Sequence, residues 1–131
     1  MIFVDTSALI AITVPKDDFH KKAISYWDDS REEKFVTSNL VILETLGWLR
    51  YKSGKKEAVK IGDKLYLDSE LKMIHVNTTD EENAWKLFKK LDGDGVSMID
   101  CTSFAVCKRL KIKKVFSFDD DFEKAGFLQV V

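Results

Sequence analysis

Five short apolar runs, each parted from the next by a helix-forming segment, constrain this chain more than any other feature. The runs are IFVD at 2–5, EKFVTS at 33–38, KMIHVN at 72–77, KVFSF at 114–118 and FLQVV at 127–131. Between them lie segments with apolar residues at helical spacing. The first is Thr6–Thr13, stopped ahead of Pro15, and the second is Asp17–Asp29, with Phe19, Ala23, Ile24 and Trp27 on one side. Ser38 or Asn39 caps a helix to about Lys52, ended by Gly54. Glu57–Ser69 follows, then a helix opened by Thr79 or Asp80 and running to Leu91, then one from Ser97 to about Leu110. DGDG reads as a loop and DDDFEKAG as a short helix or turn. Strands alternating with helices predict an α/β fold, with a mostly parallel sheet of about five short strands and helices on both faces. Sites in such sheets form at the carboxyl ends of the strands.

At 131 residues the expectation is a single domain spanning 1–131. Such a chain buries roughly two thirds of its unfolded surface, so folding needs neither disulfide nor metal. No apolar run reaches the length of a membrane span, and MIFVDTSALIAITVP reads as a strand and a helix rather than a signal peptide. Cys101 and Cys107 fall six apart on one helix, which suits buried thiols in a reducing cytoplasm better than a disulfide. Without a CxxC pair or ligand-spaced histidines, zinc is not expected. The net charge of −1 gives no global attraction for a polyanion, so local lysines and arginines would have to provide it.

Four carboxylates stand where carboxylates are costly. Asp5 ends the first strand and Asp119 follows the fourth; Glu44 interrupts LVILETLGWL and Asp100 interrupts SMIDCTSFAV. Each has a plain structural reading. Asp5 and Asp119 can cap helices, Ser97 and Asp100 have capping-box spacing, and Glu44 can occupy a narrow polar stripe. A metal site accounts for all four together. Mg²⁺ and Mn²⁺ take oxygen ligands and are held by a few carboxylates plus substrate phosphate. Two unit charges ~4 Å apart repel by about 4 kcal/mol at an effective dielectric near 20, so acids gathered in one pocket demand a cation or raised pKa values.

These residues resemble the PIN-domain nucleases, and among them the VapC-type toxin ribonucleases. FVDTSALIAI is similar to that family's first strand with its acid and the Thr/Ser after it. TSNLVILETLGWL is similar to the second motif, with Glu44 as its acid. DGDGVSMIDCTSFAVCKRLKIKKVFSFDDDFEKAGF is similar to the third and fourth motifs joined. The resemblance covers nearly the whole chain and implies a PIN-like three-layer α/β/α fold. It also implies a Mg²⁺- or Mn²⁺-dependent endoribonuclease, a cognate antitoxin and a homodimer. Position by position, Asp5, Glu44, Asp100 and Asp119 become the acidic quartet, with Ser7 and Ser117 as supporting hydroxyls. Thr6 and Ser97 join them as neighbours of those acids, and Asp121 either replaces or assists Asp119. Asp92 and Asp94 read as turn residues near the site.

The sequence offers no His general base and no Ser–His pair for phosphodiester hydrolysis, which leaves metal-activated water as the nucleophile. On that reading Asp5, Asp100 and Asp119 ligate, and Glu44 orients the water or shares a second ion. Lysines at 52, 55, 56, 60 and 64, and the cluster Lys108, Arg109, Lys111, Lys113 and Lys114, read mainly as solvated faces, a few of them able to follow an RNA backbone. Trp48 reads as packing and Tyr51 as a stacking or interface residue. Two alternatives stand beside this reading. One is a catalytically inactive PIN-like binding module, which the presence of all four acids disfavours. The other is a receiver-like phosphoacceptor, which would need an acid at the end of the middle strand, where His75-Val76-Asn77 stands, and a Lys-Pro near the last strand.

Overall fold

The computed structural model describes residues 1–68 and 70–131. In chain order the elements are β1 (Ile2–Val4), α1 (Thr6–Thr13), α2 (His20–Asp29), β2 (Phe35–Ser38), α3 (Asn39–Ser53), α4 (Lys55–Leu67), β3 (Leu71–Ile74), α5 (Thr78–Lys90), α6 (Met98–Leu110), β4 (Lys114–Phe116), α7 (Asp121–Lys124) and β5 (Leu128–Gln129). All four strand pairings are parallel, in the order β3-β2-β1-β4-β5. The expected α/β/α architecture holds, with a sheet more uniformly parallel than the sequence required.

Right-handed crossovers put α1–α4 on one face of the sheet and α5–α7 on the other. Strands covered on both sides must be apolar throughout, and β1 is: Ile2, Phe3 and Val4 are fully buried. Aromatic packing marks the two faces. Trp27 of α2 stacks on Phe35 at 4.4 Å, and Tyr26 meets Phe116 edge-on. On the other side Phe104 of α6 meets Phe122 of α7 edge-on.

Local chemistry moves several predicted boundaries. Residues 17–19 form a turn rather than helix, because the Asp17 carboxylate accepts the Phe19 N–H at 3.0 Å; α2 starts at His20. Asn77, not Thr79 or Asp80, caps α5, and Asp80 answers as its third residue in a reciprocal capping box. Ser38 caps α3 through the Val41 N–H. Gly54, at φ 87°, makes the sharp break that lets α4 begin at Lys55. The end expected for α4 at Ser69 lies outside the described residues.

The strand order reverses between β1 and β4, the topological switch point of the sheet. Val4 is in register with Phe116, and the Asp5 N–H donates to the Phe116 carbonyl at 3.0 Å. Asp5 and Ser117 therefore emerge side by side at the carboxyl edge of the sheet.

Candidate functional site

Asp5 caps α1, its Oδ2 accepting the Ser7 N–H at a long 3.5 Å. The same oxygen accepts better hydrogen bonds from two hydroxyls, Ser117 at 3.1 Å and Ser7 at 3.2 Å. Ser7 Oγ in turn accepts the Phe118 N–H at 3.0 Å, tying the end of β4 to the start of α1. Asp5 is only 3% exposed. Burial pushes its carboxyl up to about 7 and the charge of Asp100 adds to the rise, against hydrogen bonds from the Thr6 backbone, Ser117 and Ser7.

Asp100 is buried at the third position of α6. It closes a capping box with Ser97, both bonds at 3.0 Å. Its carboxyl also lies above the usual carboxylate range, first through burial and then through the charges of Asp119 and Glu44. Glu44, half-buried on α3, accepts the Thr6 hydroxyl at 2.5 Å. Asp119 follows β4: its N–H donates to Ser117 Oγ, and its Oδ1 accepts the Asp121 N–H, both at 3.0 Å. Asp121 opens α7, and its carboxyl is raised by burial and then by Asp119.

The capping readings of Asp5 and Asp100 are therefore correct as far as they go. They leave the crowding unexplained. One carboxylate oxygen from each of Asp100, Asp119 and Asp121 falls within 4.8 Å of the others. Glu44 acts on Asp100 by charge, and Asp100 acts in the same way on Asp5, so Asp100 links these two acids to the trio. The tight group is not the quartet singled out from the sequence, since Asp121 belongs to it and Asp5 and Glu44 stand beside it. The loop expectation for DGDG holds as well. Asp92 and Asp94 are exposed there, and Gly95 lies beside Asp121, where a Cβ would stand 3.8 Å from Oδ2, an ordinary contact.

Among the described residues, no Lys, Arg or His forms an ion pair with Asp5, Glu44, Asp100, Asp119 or Asp121. Asp80 provides the internal contrast. It is as buried as Asp5, but Arg109 grips both its oxygens at 2.8 Å, and this hydrogen-bonded partner draws its carboxyl below the ordinary range. Among the described residues the fold thus pairs one buried acid directly with a cation and pairs none with the cluster, which Lys124, ion-paired with Asp120, reaches only through its charge. Hard oxygen donors, close together and unpaired, suit a hard divalent cation.

Known proteins share both the sequence and the fold of this chain. The PIN domain family matches residues 2–128. The chain is 36% identical over 130 residues to the 23S rRNA-specific endonuclease VapC20 of Mycobacterium tuberculosis, covering 99% of this chain and 98% of the relative. The crystal structure of VapC20, described as a Sarcin-Ricin loop cleaving toxin, superposes with a TM-score of 0.92 at 34% identity, over 99% of this chain and 98% of that one. The structure of FitAcB from Neisseria gonorrhoeae, at 14% identity, shares the fold with a TM-score of 0.76 over 100% of this chain and 97% of the other. The chain belongs to the PIN domain family, as a nuclease of the VapC type.

Proposed function

We propose that this protein is a Mg²⁺- or Mn²⁺-dependent endoribonuclease of the cytoplasm, acting as the toxin of a toxin–antitoxin pair. The convergence of Asp100, Asp119 and Asp121 without a directly paired protein cation supports this most directly. The site residues are Asp5, Glu44, Asp100 and Asp119, with Asp121 added as a ligand, and residues 1–131 act as one unit. VapC20 is named for cleaving 23S rRNA, and this chain takes the same class of structured ribosomal RNA as substrate.

The chain's own groups divide the work as follows. Asp100, Asp119 and Asp121 would hold the cation, which would supply charge neutralisation at the phosphoryl oxygens and a more acidic water. Asp5, fixed by the Ser7 and Ser117 hydroxyls, adds charge beside Asp100. Glu44, positioned by Thr6, accepts a proton from the attacking water. Ser97 keeps Asp100 turned toward the cluster.

Partner binding has its own support. On α3, Leu43, Trp48 and Tyr51 are exposed, and on α4 Leu67 is 85% exposed. Trp48 is thus not the packed residue expected from the sequence. Large exposed apolar side chains on two neighbouring helices suit a protein interface, here taken for the antitoxin and for a second copy of the chain.

Cleavage of a 23S rRNA fragment in Mg²⁺ or Mn²⁺, and its loss in EDTA, tests the reading. Cleavage that survives EDTA, or that survives Asp100→Asn, overturns it.

A further inference from the structure

We propose that the groove between α5 and α6 is a second RNA contact, gripping backbone phosphates away from the cut. The inference rests on the nuclease reading above and adds a surface that the acid cluster does not include.

The groove encloses about 540 Å³. Thr79, Asn83, Lys86 and Lys90 line it from α5, recurring every three or four residues along one helix face. Lys108 and Arg109 line it from α6. Its one acid, Asp80, is already neutralised by Arg109. Lys86, Lys90 and Lys108 are exposed and form no ion pair among the described residues. A chain of net charge −1 therefore gathers three uncompensated cations in one channel. Asn83 and Thr79 add neutral donors between them.

The groove and the acid cluster share one helix, α6. Asp80, near the start of α5, pairs with Arg109, near the end of α6, so the two helices run antiparallel. The Lys90 end of the groove accordingly lies toward Asp100. Along α6, Lys108 stands eight residues, or about 12 Å, beyond Asp100. A strand leaving the acid cluster meets cations within a few nucleotides. An acidic protein segment has the same charge, but the acid cluster and the groove share α6, and only the substrate must be present at both. RNA is the occupant these observations favour.

Lys86→Gln, Lys90→Gln and Lys108→Gln, singly and combined, test the proposal on two substrates: a long structured 23S rRNA fragment and a short oligonucleotide spanning the cut. In the triple variant the ratio of kcat/KM for long over short RNA should fall about tenfold or more. Binding of the long RNA, measured in EDTA so that cleavage plays no part, should lose about 2 from its log–log salt slope, or about 0.7 for each single variant. A wild-type ratio and slope in the triple variant would overturn the proposal, including the case where the lysines affect capture of a partner protein instead. Failure of the nuclease reading looks different: the wild type would cleave neither RNA, while the salt slope would still report on the groove. The single variants keep the test open should the triple variant misfold.

Discussion

Ser117 and Asp5, 112 residues apart in sequence, meet at 3.1 Å, the serine hydroxyl donating to the aspartate Oδ2. After the Thr6 backbone N–H, this bond and that from Ser7 are what oppose the burial of Asp5. Ser117→Ala should push the Asp5 carboxyl further up and make the charged form harder to reach. Because partners that orient ligands and their neighbours affect metal binding strongly, affinity for Mn²⁺ should fall about 10- to 100-fold. Calorimetric titration of wild type and variant reads the change directly.

The metal-free protein should lose stability as pH rises toward neutrality. Asp5 has its carboxyl raised to about 7, so the folded state holds a proton that the unfolded chain has already released. A raised acid is least harmful below its unfolded value and costs stability as pH climbs through its folded one. The window runs from about pH 4 to pH 7, and the raised carboxyl of Asp100 acts in the same direction. For Asp5 alone the loss is of order 4 kcal/mol at its largest. Urea unfolding in EDTA across this range should show the decline in wild type and a flatter profile in Asp5→Asn. Parallel profiles would rule out Asp5 as the source.

Divalent cation should reverse that loss. At neutral pH, Mg²⁺ or Mn²⁺ should raise the melting temperature, since a ligand that binds only the folded state stabilises it. Asp121→Asn should reduce the shift as much as Asp119→Asn does, because their oxygens lie in one group with Asp100. An Asp121 variant with the full wild-type shift would return this residue to the helper's role.

The fold was legible because strand and helix signals agree along most of the chain. IFV and KVF are short, apolar and flanked by helix starts, so the parallel sheet follows almost from the spacing. What escaped was local hydrogen bonding. Asn77 captures the start of α5 and Asp17 turns the chain ahead of α2, and nothing in hydrophobic periodicity reports either. At the site, the four acids stood out as carboxylates in apolar settings. Asp121 stood out only as a substitute or helper for Asp119, because the spacing from Ser117 favours Asp119 within DDDFEKAG. Only the turn after Asp119, closed by the Asp121 N–H, decides which of them faces Asp100. The pairing of Asp80 with Arg109 was equally hidden, since 29 residues separate two side chains that look like ordinary surface charges.

That pairing gives the sharpest contrast with the acid cluster. The Asp80 side chain is 1% exposed, and Arg109, at 36%, covers it from the solvent side. Arg109→Met should leave a buried carboxylate without its cation and cost about 2–4 kcal/mol, somewhat below the range for fully buried pairs because the arginine is partly hydrated. Adding Asp80→Asn should recover much of the loss, since the stranded charge is then gone. The pH dependence should also have the opposite sign to that of Asp5. Arg109 draws the Asp80 carboxyl below the ordinary range, so the stability it contributes is present above that range and disappears as pH falls through the folded value. A double-mutant cycle followed by urea unfolding at neutral and acid pH measures both effects. A coupling energy near zero would mean that Asp80 tolerates burial without its partner, and that an unpaired carboxylate in this fold does not by itself call for a metal.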